Sequence, residues 1–312
     1  MLYYSYSEYL KEKFGEKVYK LPINLPVTCP NRMNGTGCAF CAGAGTGFEA
    51  MDVCNSVTDQ LRATQELIER KYHAKKYIAY FQNYTNTFMK IEKFREYLWE
   101  AATFPGIVET SVSTRPDCLT TEYLDVMEEI HNKTGIEMNI ELGLQTANYH
   151  TLAFIDRGHG LAEFIDAVLM IKRYRDITIC THVILNLPGD DLLDVKETAR
   201  ILAALGVDIV KLHSLYIPYN TKLYELYQND NIALCTKEEY YERVVTFLEQ
   251  IPQSMVVERL FSRVPEKDAV FTNWGTSWWK MTDELMEKME RENRYQGKEF
   301  HYLNGAALSI LN

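Results

Sequence analysis

Residues 29–41 read CPNRMNGTGCAFC, which places three cysteines within thirteen residues. Their spacing is C-x8-C-x2-C, and five of the sixteen glycines of the chain lie between Gly35 and Gly47. Thiolates this close together, on a backbone this flexible, are typical of a loop that surrounds a metal centre. Structural zinc sites and most iron–sulfur proteins take four protein ligands. Three ligands leave one coordination position open, and an open position indicates a site that performs chemistry.

The composition of the chain predicts a cytoplasmic protein without membrane contact. Its 312 residues are 46% hydrophobic, which suffices for a large core. The first residues lack the basic and apolar regions of a signal peptide, and no apolar run approaches the ~18 residues of a membrane span. Seven cysteines, an odd number with three of them clustered, indicate a reduced protein with a metal site rather than a disulfide framework.

The net charge of −10 disfavours nucleic acid as a partner, because the bulk electrostatic potential repels phosphate. An RNA substrate would therefore need a local basic patch. Two segments are candidates, although the simpler interpretation of both is a solvated helix end; they comprise Arg70, Lys71, His73, Lys75 and Lys76, and Lys172, Arg173 and Arg175.

Segments with strand and helix character alternate along most of the chain. After one strand before Cys29, we expect strands at 77–81, 107–114, 136–144, 177–185 and 207–213, and helices at 56–73, 90–102, 120–132, 161–174 and 192–205. This order implies parallel strands with outer helices. We predict an α/β fold, a partial (β/α)6 TIM-type barrel with N-terminal and C-terminal extensions. Residues 1–235 would form the core with the N-terminal extension, and 236–312 a helical, mixed extension that covers the barrel.

The strands carry polar residues on one face. Between Ile136 and Leu144 apolar residues alternate with polar ones, and alternate residues of a strand point to opposite faces. The polar set, which includes Glu109, Ser111, Ser113, Asn139, Glu141, His182, Lys211 and His213, is expected to point inward. Such a lining favours a wet cavity for a ligand, with a hydrogen-bonded polar core as the alternative. The cysteine loop follows the first strand, at the end of the barrel where active sites lie.

The cysteine loop also resembles that of a known family. Cys38-Ala39-Phe40-Cys41 is similar to the C-x-aromatic-C end of the cluster loop in radical S-adenosylmethionine (radical SAM) proteins, and Cys29-Pro30-Asn31-Arg32 matches a branch with a longer first gap. The chain resembles the YhcC/YtqA type, related to the Elongator catalytic subunit, MiaB-like enzymes and YtqA/MnmL-like modifiers of the tRNA wobble uridine. Further matches lie at 9–18, 80–87, 114–119, 141–146, 157–159, 187–189 and 274–275.

The resemblance implies a [4Fe–4S] cluster on Cys29, Cys38 and Cys41, with S-adenosylmethionine (SAM) on the fourth iron. An electron donor such as flavodoxin or ferredoxin would reduce the cluster, and SAM cleavage would yield a 5′-deoxyadenosyl radical that abstracts hydrogen from the substrate. The side chains expected to bind SAM are Phe40 and His213 at the adenine, Gln82, Asn83 and Thr85 at the amino group, Ser113 and Arg115 at the carboxylate, and Glu141 and Gln145 at the ribose.

The remaining candidate residues carry weaker signals. Cys54, Cys118, Cys180 and Cys235 are scattered along the sequence, so we predict buried core thiols rather than an auxiliary cluster. His159 follows Arg157-Gly158 in a loop, where it would serve either the substrate or the start of a helix.

Three functions are compatible with these residues. The leading hypothesis is a radical SAM enzyme that acts on the side chain of a tRNA wobble uridine, and a peptide or small metabolite is the alternative substrate. The alternative class is a zinc-holding structural module, in which His73 or His159 would be the fourth ligand. The chain has no second C-x2-C and no H-x3-H pair, which argues against zinc.

Overall fold

The computed structural model describes residues 2–33, 35, 37–42 and 55–311, so Cys54 lies outside the described residues. The chain divides into two compact units. The N-terminal unit comprises Ser7–Leu144 and Ala153–Thr181, and the C-terminal unit comprises Met1–Tyr6, Gln145–Leu152 and His182–Asn312.

The N-terminal unit repeats a strand followed by a helix. Parallel pairing places Leu21 opposite Ala79, and Val112 opposite Ile140. The elements up to β5 are, in chain order, α1 (Tyr6–Phe14), β1 (Val18–Ile23), α2 (Pro30–Met33), α3 (Val57–Tyr72), β2 (Lys76–Phe81), α4 (Ile91–Ala102), β3 (Ile107–Thr114), α5 (Thr121–Thr134), β4 (Glu137–Gln145), α6 (Tyr149–Phe154), α7 (Leu161–Ile171) and β5 (Ile177–Ile184). Most of α6 belongs to the C-terminal unit.

The alternation along β4 separates two faces as the sequence predicts. Met138, Ile140 and Leu142 are fully buried, whereas Asn139 and Glu141 make hydrogen bonds with polar side chains of neighbouring strands. Burial of each such aliphatic side chain stabilises the fold by about 1.5–3 kcal/mol. The apolar face therefore supplies packing energy, and the polar face is left for specific contacts.

The C-terminal unit adds a strand that the sequence reasoning missed. Its elements are α8 (Leu192–Ala204), β6 (Ile209–His213), β7 (Ile217–Pro218), α9 (Lys222–Gln228), α10 (Lys237–Gln250), β8 (Val256–Arg259), β9 (Ala269–Phe271) and α11 (Trp278–Arg291). Strand β8 pairs in parallel with β6, within the stretch expected to be helical and mixed. It is only four residues long, too short for a clear period-2 pattern.

The strand order confirms the predicted fold class. A seven-stranded sheet runs in the order β1-β2-β3-β4-β5-β6-β8, so β1 to β6 lie side by side in chain order and β8 follows β6. Parallel neighbours joined by helices are the arrangement of a βα-repeat protein. The proposed boundary between 235 and 236 stays a prediction.

Helix starts and ends follow local chemistry. Ser56 accepts a hydrogen bond from the Asp59 amide and begins α3, as predicted. Gly135, with a φ of 70°, ends α5. Helices α1 and α6 were not predicted, and both are short enough to carry little periodic signal. Among the described residues, no helix has the length and hydropathy that crossing a bilayer requires.

A buried carboxyl group closes the predicted Pro188-Gly189 turn after β5. Asp190 Oδ1 accepts a hydrogen bond of 2.5 Å from Thr151 Oγ1, and the Asp190 carbonyl accepts one of 2.8 Å from Arg243. Burial raises the pKa of Asp190 from 3.8 to about 6. Ionisation therefore disfavours the folded state in this pH range.

We predict that Asp190→Asn removes a pH dependence of stability. Below pH ~4 the carboxyl is protonated in both states, and between pH ~4 and ~6 it ionises only in the unfolded chain, so native stability falls as the pH rises. The variant should gain on the order of 2 kcal/mol relative to the native chain between pH 4 and 7. Urea unfolding at both pH values measures this difference, and a constant difference would contradict it.

Candidate metal centre

The first cysteine of the loop begins a short helix. The Cys29 carbonyl accepts hydrogen bonds from the amides of Arg32 and Met33, and Pro30 occupies the first helical position, where a missing N–H is harmless. This turn is α2. It places the Asn31 and Arg32 side chains within reach of the two later cysteines.

Asn31 ties the cysteine loop to the segment after α6. Its Nδ2 lies 2.8 Å from the carbonyl oxygens of Asp156 and Arg157 and 3.4 Å from Cys38 Sγ. Gly158 has a φ of 77°, and a Cβ there would lie 2.1 Å from Asn31 Oδ1. Only glycine therefore fits at this position.

Each of the three thiols has a hydrogen-bond donor from an arginine. Nη1 of Arg115 lies 3.6 Å from Cys29 Sγ, Nη1 of Arg157 lies 3.5 Å from Cys38 Sγ, and Nη1 of Arg32 lies 3.4 Å from Cys41 Sγ. Sequence reasoning assigned no role to Arg32 or Arg157, although both belong to the matched motifs. The presence of an arginine in each of these two motifs was the sequence signal that could have indicated a contact with the thiols.

The thiols differ in acidity. Burial disfavours ionisation of Cys29, but hydrogen bonds from Thr85, Arg115 and a backbone amide outweigh it, so its pKa lies below the ordinary value. Burial and the neighbouring Cys38 raise the pKa of Cys41 despite the contact with Arg32. Cys29 is thus predisposed to act as a thiolate ligand.

Arg115 is held by its own motif. Its Nε and Nη2 donate to the two carboxylate oxygens of Asp117 at 2.8 and 2.5 Å. Burial raises the pKa of Asp117 and the paired guanidinium lowers it, with a net lowering. This guanidinium already contacts Asp117 and Cys29. The expected contact of Arg115 with the SAM carboxylate stays a prediction.

The segment after β2 lies beside Cys29. Thr85 hydrogen-bonds the thiol, and Asn86 donates to the Ser113 carbonyl at 2.9 Å. Asn83 is buried, and its Oδ1 has no partner among the described residues. The segment after β2 therefore places three predicted site residues, Gln82, Asn83 and Thr85, near Cys29.

Glu141 is the centre of a buried polar network. Its Oε1 accepts from Lys20 at 2.7 Å and Ser111 at 3.1 Å, and its Oε2 accepts from Tyr80 at 2.8 Å and Ser113 at 3.5 Å. The polar face of β1 to β4 is therefore hydrogen-bonded at this level, which is the alternative that the sequence left open. The ribose contact of Glu141 stays a prediction.

Other predicted SAM contacts are more dispersed. Phe40 is half-buried in the turn between Cys38 and Cys41. Gln145 ends β4 with a φ of 80°, and it belongs to the C-terminal unit. His213 ends β6 in the same unit, where its Nε2 lies 3.3 Å from His182 Nδ1.

His159 is a buried residue that contacts backbone. Its Nε2 lies 3.1 Å from the Gly143 carbonyl and its Nδ1 lies 3.2 Å from the carbonyl of Gly160, which precedes α7. Burial and the neighbouring Arg157 lower the pKa of His159 to about 4. A neutral imidazole donates only one of these bonds.

The other cysteines divide into two groups. Cys180 is fully buried, as predicted for a core thiol. Cys118 and Cys235 are half-buried, so the core prediction is wrong for them. Both lie in connecting segments, Cys118 after Pro116 and Cys235 just before α10, where backbone exposure limits burial. Burial and the adjacent Asp117 raise the pKa of Cys118 to about 12.

An open cavity of about 460 Å³ adjoins the cysteine loop. Its walls include Asn31, Arg115, Asp117 and Gly158, so the same residues that fix the loop also face this space. Charged and amide groups therefore surround the approach to the loop from this side.

Family comparisons assign the chain. The model of the Radical SAM superfamily matches residues 23–202, and that of the Radical_SAM C-terminal domain matches 207–291. This chain belongs to the radical SAM superfamily, and it is an enzyme of that class. The sequence-based resemblance is confirmed.

Individual proteins agree with this assignment. YtqA of Bacillus subtilis is 32% identical over 305 residues, covering 96% of this chain and 94% of YtqA. A tRNA uridine(34) acetyltransferase of Methanocaldococcus jannaschii is 25% identical over 162 residues, covering 51% of this chain and 29% of that protein. The structure of archaeal Elp3 from Methanocaldococcus infernus has the same fold, with a TM-score of 0.69 at 18% identity over 89% of this chain and 64% of that one.

We predict that Gly158→Ala destabilises the chain through Asn31. The added Cβ both meets Asn31 Oδ1 and strains a positive φ, for a loss of roughly 3 kcal/mol. Gly135→Ala is the matched control, because its φ is 70° and a Cβ there would meet nothing within 4 Å. It should lose only about 1 kcal/mol.

The pairing itself is tested by a double-mutant cycle. Asn31→Ala removes the obstructing amide, so Gly158→Ala should be less damaging in that background, with coupling of at least about 1 kcal/mol in chemical unfolding. Additive losses would show that the two residues act independently.

Proposed function

We propose that this chain holds a [4Fe–4S] cluster on Cys29, Cys38 and Cys41 and cleaves SAM reductively to a 5′-deoxyadenosyl radical. The observation that carries the proposal is that one loop, inside the segment matched by the superfamily model, presents three thiols that each contact an arginine. Cubane clusters take thiolate ligands, and an arginine N–H stabilises a thiolate.

The spread of the thiols supports a cluster over a single ion. Thiolates that bind one zinc at ~2.3 Å in a tetrahedron lie about 3.8 Å apart. Within the described part of the chain, the three cysteines are not a set whose sulfur atoms all lie within 4.8 Å of one another. Ligands of three different irons would be farther apart, which favours the cluster over the zinc module.

Several side chains suit SAM as the group on the open iron. Asn83 offers a buried oxygen that has no partner among the described residues, and an ammonium group needs such an acceptor. Thr85 and Ser113 flank the same segment. When bound, the cluster supplies one electron to the sulfonium, and the protein contributes binding, orientation and shielding. The roles of Phe40, Gln82, Arg115, Glu141, Gln145 and His213 are part of this proposal.

The proposed substrate is the side chain of a tRNA wobble uridine. Support comes from a relative named for uridine 34 of tRNA, and from relatives named tRNA-2-methylthio-N(6)-dimethylallyladenosine synthase that match about half of this chain. The net charge of −10 is the observation that favours a peptide or small metabolite instead. We also propose a flavodoxin or ferredoxin as the electron donor and the cytoplasm as the location.

We predict that anaerobically purified protein is brown and contains iron and sulfide. Ala at Cys29, Cys38 or Cys41 should each remove most of the iron and lower 5′-deoxyadenosine formation from SAM at least a hundredfold, because each cysteine holds one iron. Cys235→Ala is the control, since Cys235 lies outside the loop, and it should retain both. One zinc per chain without colour would support the structural module instead.

We further predict that tRNA from a strain lacking the gene shows an altered wobble-uridine nucleoside. Liquid chromatography with mass spectrometry of digested tRNA measures this, and expression of the intact chain, but not of the Cys38→Ala variant, should restore the nucleoside. An unchanged profile in the deletion strain would favour the metabolite or peptide substrate.

A further inference from the structure

The arginines at the three thiols form a set with one guanidinium for each ligand. They come from three distant parts of the chain: Arg32 from α2, Arg115 from the turn after β3, and Arg157 from the loop between α6 and α7. The Nη1–Sγ distances are 3.4, 3.6 and 3.5 Å. We call Arg32, Arg115 and Arg157 the arginine set.

Each guanidinium is fixed by a second contact that does not involve sulfur. Arg32 donates to the Ala42 carbonyl at 2.9 Å, and Arg157 donates to the Gly143 carbonyl at 2.7 Å. Arg115 is held by both carboxylate oxygens of Asp117. The three donors therefore keep their positions independently of what the thiols bind.

Two of the three guanidiniums are buried, and a buried positive charge is stabilised by a negative charge nearby. Arg115 and Arg157 are only 3% and 7% exposed, and Arg157 Nε has no partner among the described residues. A buried cation is costly unless an anion offsets it. Among the described residues, Asp117 forms an ion pair with Arg115 and offsets one of the three charges. Within that part of the chain, the set therefore leaves about two positive charges near the thiols.

We propose that the arginine set raises the reduction potential of the cluster, which rests on the function proposed above. Reduction adds one electron, supplied by the flavodoxin- or ferredoxin-type donor, and no bond is broken. The added negative charge spreads onto the ligand sulfurs, where N–H donors and positive charge stabilise it more than they stabilise the oxidised state. Hydrogen bonds to sulfur and net charge both set the potentials of such clusters.

The proposal explains why an acidic chain keeps three cations at one loop. With a net charge of −10, the average electrostatic potential opposes the entry of an electron. Local guanidiniums at hydrogen-bond distance outweigh distant carboxylates, because salt screens exposed charges beyond about 10 Å. The set thus offsets the effect of the rest of the chain at the one place where an electron must enter.

The test is a redox titration of the reconstituted cluster, followed by electron paramagnetic resonance. Arg32→Gln, Arg115→Gln and Arg157→Gln each remove one charge and one sulfur contact, and each Arg→Lys variant keeps the charge. Arg95→Gln is the matched control, since Arg95 lies on the surface of α4 and pairs with Glu129. Wild-type cluster content and SAM cleavage are measured in parallel, which tests the proposed function separately.

Each Arg→Gln variant should lower the equilibrium constant for cluster reduction about tenfold, which is about 59 mV for a one-electron couple. The Lys variants should fall between these and the wild type, and Arg95→Gln should match the wild type. Unchanged potentials in clusters that remain intact overturn the proposal. If Gln abolishes the cluster and Lys preserves it near the wild-type potential, the charge requirement stands. If both the Gln and the Lys variant of one arginine lose the cluster, that arginine is needed for folding of the cysteine loop. The proposal would then be wrong for that residue.

Discussion

The contact between Asn31 and Gly158 is the constraint on which the candidate site depends. One amide bonds two carbonyl oxygens of the loop before α7 and lies against the Cys38 thiol, in a space that exists only because residue 158 lacks a side chain. The segment between the first and last cysteine contains few apolar residues, so packing alone would not hold it. The hydrogen bonds of Asn31 to the loop before α7 fix the cysteine loop, and they require a glycine at position 158.

The contact between Asn31 and Gly158 also has an electrostatic consequence. Arg157 directly precedes Gly158, so the same loop that receives Asn31 also brings a guanidinium to Cys38. Arg115 reaches Cys29 from the end of β3 in a comparable way. Consecutive parallel strands end on the same side of a sheet, and residues that follow them converge there. The fold thereby gathers Arg32, Arg115 and Arg157, which lie far apart in the sequence, around one short loop.

The sequence allowed most of the fold and part of the site to be predicted, for identifiable reasons. Strands such as β3 and β4 are long and buried, and helices such as α3 and α8 have capping residues, so their bounds were within a few residues. Strand β8 and helix α6 were missed because short elements owe their structure to tertiary packing. The contacts of Arg32 and Arg157 with thiols could not be foreseen, since loop geometry decides which sulfur each side chain reaches. The same holds for Glu141, which accepts hydrogen bonds from side chains of three other strands.

The central claim is that three protein sulfurs hold the cluster and leave one iron to SAM. Mössbauer spectroscopy of the ⁵⁷Fe-enriched protein, recorded before and after SAM is added, tests it most directly. We expect one of the four irons to differ from the rest and to change its isomer shift when SAM binds. Four equivalent irons that do not respond to SAM would mean that a fourth protein ligand closes the cluster, which would contradict a site with one open iron.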